Sequence, residues 1–316
     1  MPLRRLDQAD FTKLAQGIAR PEDVVVARDG RVFASYHHGA VAEIAPDGGF
    51  TAMGAKAGAP NGINMDAQGR IIIANFGLYD GAPGPLERFD PATGTRETLV
   101  RELDGRTLTS SNYPIIDRAG NIWCSHSTFA PTWPDALDGR ADGFIYVHRP
   151  DGSSEIVARG LKFANGMALS ANEDFLYCTQ TSAGNVLRYP VLPGAKLGKA
   201  TQYGPKLGIV FGMKINPALQ LPGFITRYLG YTDGIGFDAD GNLWVTLPAA
   251  HKIVAITPAG KIEIIAHDPS GKWLGSPTNI SWGGPDLTDL YIGNLATPYV
   301  LKAKSPVPGM ALSHQR

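Results

Sequence analysis

Six polar side chains recur along the chain at one phase: Glu22, Asn61, Asn112, Asn165, Asp233 and Asn279 each stand eight residues before Gly30, Gly69, Gly120, Glu173, Gly241 and Leu287 in turn. Two carboxylates and four amides are hard oxygen donors, and such donors converging on one point suit Ca²⁺, Mg²⁺ or Mn²⁺. The two carboxylates also match the charge of a divalent ion. The chemistry open to such a site is metal-assisted: polarisation of a carbonyl, with activation of water or stabilisation of an oxyanion. Asn61-Gly62, Asn165-Gly166 and Asp233-Gly234 are also ordinary turn dipeptides, so each alone admits a reading as a left-handed turn. Glu22 and Asn279 have no following glycine, however, and turn chemistry does not select a glutamate.

One such residue per repeat requires one structural unit per repeat. The units read PEDVVVARDGRVFAS, PNGINMDAQGRIIIAN, SNYPIIDRAGNIWCS, ANGMALSANEDFLYC, TDGIGFDADGNLWVT and TNISWGGPDLTDLYIGN. Each is an apolar run, a tight turn and a second run rich in β-branched and aromatic residues, the pattern of a hairpin. A second hairpin generally follows, as in VAEIAPDGGFTAM, GFIYVHRPDGSSEIVA and KIVAITPAGKIEIIA. Four strands per unit in six units, spaced about 40 to 70 residues apart, predict an all-β, six-bladed β-propeller with four-stranded antiparallel blades. The last unit lacks a fourth strand. Residues 11–18 therefore complete it, closing the ring with the N-terminal strand and making residues 1–316 a single propeller domain. Strand parity puts the six polar residues at one mouth of the central channel and the Gly turns at the other. Polar groups crowded there are costly unless paired.

Composition narrows the partners. Lys+Arg and Asp+Glu both number 29, which leaves no basic footprint for nucleic acid or an anionic membrane. The N-terminal MPLRRLDQADF has no apolar core of a signal peptide, and no run approaches ~18 apolar residues, so a soluble cytoplasmic protein is expected. Cys124 and Cys178 read as reduced structural thiols. Gly-x-Ser-x-Gly, His-Glu-x-x-His, Walker and dinucleotide patterns are missing.

Pro-Glu at 21–22, Pro-Asn-Gly at 60–62, Asn112 before DRAGNIW, Ala-Asn-Gly at 164–166, Asp-Gly at 233–234 before FDADGNLWV, and TNISWGGPDLTDLYI together resemble the SMP-30/gluconolactonase/LRE-like family of six-bladed propellers. The resemblance implies that Glu22, Asn165 and Asp233 hold one divalent ion (Ca²⁺, Mg²⁺, Mn²⁺ or Zn²⁺), that Asn112 touches metal or substrate, and that Asp233 acts as base or nucleophile. It implies a lactone- or ester-hydrolysing enzyme. Departures bear on the substrate: Asn112 is followed by Tyr113 where many members have Asp, and Thr109, Ser110 and Ser111 stand where sugar lactonases place an Arg. Without that guanidinium, bidentate recognition of a polyhydroxylated lactone is not expected.

Segments 76–85, 126–143 and 204–231 rise over the same mouth by parity and carry Phe129, Trp133, Phe211, Met213, Leu219, Phe224 and Tyr228. An apolar roof of that kind favours an apolar or aromatic lactone or ester. Asn61, Tyr113, Asn279, Trp133 and Phe211 are the substrate-facing candidates. His126, which opens the longer lid segment, is the candidate proton shuttle, preferred over His37, His38 and His251. Besides the hydrolase, two further readings stand: a non-hydrolytic enzyme on this scaffold, such as an isomerase or a strictosidine-synthase-like enzyme, and a binding propeller with a structural ion.

Overall fold

Strands that are apolar on both faces need a covering layer on each side, and stacked blades supply it. In the computed structural model, which describes residues 3–212 and 223–316, first and second strands of the blades are buried and outer strands are exposed. Ile71–Asn75 is buried at every position, whereas Phe50–Met53 is partly or fully exposed at every position. Six antiparallel sheets follow one another around a central channel. Their first strands lie at Val24–Val26, Pro60–Met65, Ser111–Ile116, Ala164–Leu169, Ile235–Phe237 and Pro277–Gly283. Each first strand packs against those of both neighbouring blades, and the cycle closes between the sixth and the first.

The sixth blade is completed as expected. Thr12–Leu14 pairs with Val300–Lys304, Thr12 opposite Lys302 and Leu14 opposite Val300. This covers the edge of Val300–Lys304 and gives the sixth blade four strands like its neighbours. Blade four departs from the simple pattern: its third strand, Asn185–Leu192, pairs with both Lys196–Leu197 and Thr201–Tyr203.

Between successive blades lie hydrophobic clusters. Phe33 of blade one meets Ile63 and Ile73 of blade two, Trp123 of blade three meets Met167 of blade four, and Trp244 of blade five meets Trp282 of blade six. The turn carboxylates Asp117 and Asp238 accept from the indole Nε1 of Trp123 and Trp244 at 3.0 and 2.9 Å, fixing each ring in its seam. Cys124 and Cys178 are free and buried, and burial pushes both thiols up to about 12. Among the described residues, no helix is long and apolar enough to cross a membrane.

The eight-residue spacing has a conformational basis. Gly30, Gly69, Gly120, Glu173, Gly241 and Leu287 all have positive φ, from 52° at Leu287 to 90° at Gly30. The turn geometry therefore persists in the two repeats that lack glycine.

Candidate metal centre

Each polar residue of the ring stands where its innermost strand begins, and in four blades a bulge aims it. Register shifts fall between Pro60 and Ile63, Ser111 and Pro114, Ala164 and Met167, and Pro277 and Ile280. The residues passed over include Asn61, Asn112, Asn165 and Asn279. A bulge re-aims side chains and ends regular pairing, which is what a strand turning its donors into a channel requires. Gly62, Gly166 and Gly234 are absent from the positive-φ residues. The left-handed-turn reading of these dipeptides is thereby corrected. A Cβ on Gly166 would lie 2.5 Å from Gly234 Cα, and one on Gly62 would strike Tyr113. These glycines let neighbouring first strands approach, not turn.

Hydroxyl groups stitch the ring together from behind. Thr179 Oγ1 donates to Asp233 O at 2.6 Å, Thr246 Oγ1 to Thr278 O at 2.7 Å, and Thr278 Oγ1 to Glu22 O at 2.6 Å.

Glu22, Asn61, Asn112, Asn165 and Asp233 line one cavity of about 300 Å³ at this mouth. Glu22 Oε2, Asn112 Oδ1 and Asn165 Oδ1 are buried there without a hydrogen-bond partner. Burial raises the Glu22 carboxyl above its ordinary range despite the Arg20 guanidinium beside it. Burial raises Asp233 well above its range, and the charge of Glu22 adds to the effect. Buried oxygens without donors, and carboxylates held above their ordinary range by burial, would both be relieved by a cation. Among the described residues no group of three His, Cys, Asp or Glu side chains comes together. A cation held here must therefore draw on amide oxygens beside the two carboxylates, and a hard ion accepts such a mixture.

The remaining candidates divide. Trp133 lines the cavity with Phe76, Tyr79, Leu137, Phe163 and Tyr231, so loops 76–85 and 126–143 do form an apolar roof. Phe211 packs instead behind that wall with Leu229 and Tyr231, whose hydroxyl donates to Phe211 O at 2.8 Å. Asn279 is 2 % exposed and pressed against Gly234, its Oδ1 unpartnered, outside the cavity lining. Tyr113 points to the opposite end of the channel, among Asn64, Ile115 and the C-terminal residues 310–316, and its expected contact with substrate at this mouth is corrected. Phe129 packs at a tilt against His126, Phe224 and Tyr228 are exposed outside the lining, and Met213 and Leu219 lie outside the described residues.

His126 does not serve the cavity. It is the last residue of Ile122–His126 and is fully buried, stacked on Phe144 at 4.4 Å, with Nε2 accepting from the backbone N–H of Thr109 and Ser110 at 3.2 Å. Desolvation lowers its pKa to about 3, so it stays neutral. The physical reason is alternation, which turns this strand position away from the channel. In other blades the residue one position later, Phe76, Thr181, Pro248 or Leu295, does line the cavity. His251 is structural as well, accepting from Ser276 N at 3.0 Å.

Sequence reasoning missed Arg20, Phe163, Thr181 and Tyr231, all on the cavity wall. Arg20 brings a guanidinium to this cavity from the segment before the first blade. The available signals were positional: Arg20 and Phe163 each stand two residues before a ring residue, and Thr181 directly follows a second strand.

The profile of the SMP-30/gluconolactonase/LRE-like region matches residues 77–295, and the chain belongs to that family. A strictosidine synthase-like N-terminal profile matches residues 4–44. A gluconolactonase of Zymomonas mobilis is 25% identical over 238 residues, covering 74% of this chain and 57% of the relative. The adipocyte plasma membrane-associated protein Hemomucin of Drosophila melanogaster is 26% identical over 210 residues, covering 60% of this chain and 35% of the relative. The chain thus spans about a third to just over half of the length of these curated relatives. The solved structure of a gluconolactonase from Xanthomonas campestris superposes with a TM-score of 0.70 at 21% identity, covering 95% of this chain and 89% of that one. At that identity the superposition speaks for the fold.

Proposed function

We propose that this protein is a divalent-metal-dependent hydrolase that opens a lactone or cleaves an ester with an apolar body, acting through one propeller domain. The reading rests on one observation above all: Glu22, Asn112 and Asn165 present buried oxygens without a hydrogen bond to the same cavity as Asp233. Glu22, Asn165 and Asp233 would hold the ion, with Asn112 completing the set or orienting substrate. When bound, the cation supplies Lewis-acid polarisation of the acyl carbonyl. Asp233 accepts the proton of the attacking water, a role favoured by burial and weakened by a neighbouring positive charge. Asn61 and Asn112 orient substrate oxygens, and Trp133, Phe76 and Phe163 pack the apolar body and exclude water. The similarity to a gluconolactonase supports the lactone-opening part of this reading.

The test is turnover of a lactone and aryl-ester panel, followed by proton release, after chelation and after return of Ca²⁺, Mg²⁺, Mn²⁺ or Zn²⁺. Asp233→Ala should fall at least about 100-fold, as expected for loss of a general base. Equal rates in both proteins would remove the mechanism. The strictosidine synthase-like match over residues 4–44 favours one second reading, a non-hydrolytic enzyme on the same scaffold. Metal-dependent ligand turnover without proton release would select it. A folded protein stabilised by metal but inert on every substrate would select a binding propeller.

A further inference from the structure

We propose that Arg20 is a specificity-determining residue that binds the negative charge appearing at the acyl centre, so that the site holds the ring-opened carboxylate in preference to a neutral ligand of the same shape. This inference rests on the reading above and deepens it.

Arg20 lines the same cavity as Glu22, Asn112, Asn165 and Asp233. Its Nη1 donates to Pro60 O at 2.9 Å, its Nη2 to Asn61 Oδ1 at 2.5 Å, and its guanidinium stacks over the Tyr79 ring at 4.6 Å. Nη2 is also 3.6 Å from Glu22 Oε2. A guanidinium has five N–H donors, and Nε has no partner at all. The group is thus oriented by the first and second blades with donor capacity left over.

Its backbone is held against local preference. Arg20 has φ 52°, and Phe163 and Ser276, also on the cavity wall, have φ 60° and 52°. Left-handed backbone is disfavoured for residues with a Cβ, and glycine would relieve it.

Charge completes the case. Glu22, Asp233 and Arg20 are the only Asp, Glu, Lys, Arg or His side chains among the described residues lining the cavity. Two carboxylates offset a divalent ion and Arg20 remains, leaving one net positive charge. Hydrolysis of a neutral lactone creates one negative charge, and the site is complementary to that state rather than to the starting ester. Arginine suits this task because its fork matches a carboxylate and never loses its proton.

The experiment compares binding of 3-phenylpropionate and of neutral 3-phenylpropanamide to the Ca²⁺-loaded full chain by calorimetry, for wild type, Arg20→Met and Arg20→Lys. Loss of a charge-assisted contact should reduce the preference for the carboxylate about tenfold or more in Arg20→Met while the amide binds within about twofold of wild type. Arg20→Lys, which keeps the charge without the fork, should fall between them and guards against misfolding of the methionine variant. Ca²⁺ affinity should stay level or rise in Arg20→Met, because a guanidinium beside Glu22 opposes the cation. An unchanged carboxylate preference, an equal loss for both ligands, or weakened Ca²⁺ binding would overturn the proposal and leave Arg20 as a prop for Glu22. Metal-dependent hydrolysis of neutral lactones by wild type tests the underlying reading separately.

Discussion

Thr181 fixes the orientation of Asn165. The Thr181 hydroxyl donates to Thr232 O at 2.7 Å, so its lone pairs are left to accept, and Asn165 Nδ2 donates to it at 3.0 Å. The amide oxygen is thereby turned away from the hydroxyl and remains buried without a partner. A side chain outside the proposed ligand set thus contributes to which face of the amide is offered to a cation.

Thr181→Val should consequently weaken divalent binding about tenfold, the usual scale for losing a group that orients a ligand. Thr181→Ser should restore most of it. Calorimetric titration of chelated protein checks both, and equal affinity in all three would show that the amide needs no guide.

Asp233→Asn should change sign with conditions. In chelator the variant removes one of two buried like charges and should gain about 1 kcal/mol in denaturant unfolding. In excess Ca²⁺ it should lose the ligand-dependent stabilisation that wild type shows. Destabilisation in both conditions would indicate that Asp233 is a structural carboxylate.

The glycines after the ring residues should be intolerant for reasons of space. Gly166→Asn places a side chain against Gly234 and Asp233 and should cost about 2–3 kcal/mol. Gly69→Asn, at φ 78° with nothing within 4 Å, should cost less than about 1 kcal/mol because asparagine tolerates that region. Urea denaturation of the pair separates the two causes; similar costs would restore the turn explanation.

His126 should contribute to acid sensitivity and not to the rate profile. Its folded pKa is about 3, below the ordinary value of about 6.5 for an unfolded histidine. Between those values the unfolded chain takes up a proton that the folded chain refuses, so stability falls as pH drops through this window. By pH 5 the loss amounts to about 2 kcal/mol relative to neutral pH. His126→Gln should flatten that slope while the pH dependence of turnover keeps its shape. A shifted rate profile would return His126 to the mechanism.

Much of this architecture could be read before any coordinates, because it is periodic. The eight-residue spacing reports a left-handed turn in every repeat, even where Glu173 and Leu287 replace glycine, and hairpin patterning locates the blades. The missing fourth strand pointed to residues 11–18, within which Thr12–Leu14 forms it. What escaped depends on single-residue register and on contacts between distant segments. His126 and Tyr113 were placed on the right elements and on the wrong side, because one step along a strand reverses the side chain. Arg20 was invisible because its value comes from Pro60, Asn61 and Tyr79, which only the fold brings to it.

The account stands on Glu22, Asn165 and Asp233 sharing one cation. Calorimetric titration of chelated wild type with Ca²⁺ and Mn²⁺, repeated on Glu22→Gln and Asp233→Asn, tests that directly. The predicted result is one site per chain in wild type, weakened at least about 100-fold in each variant, in line with removing a charged ligand. Absence of saturable binding in wild type, or undiminished binding in both variants, would contradict it.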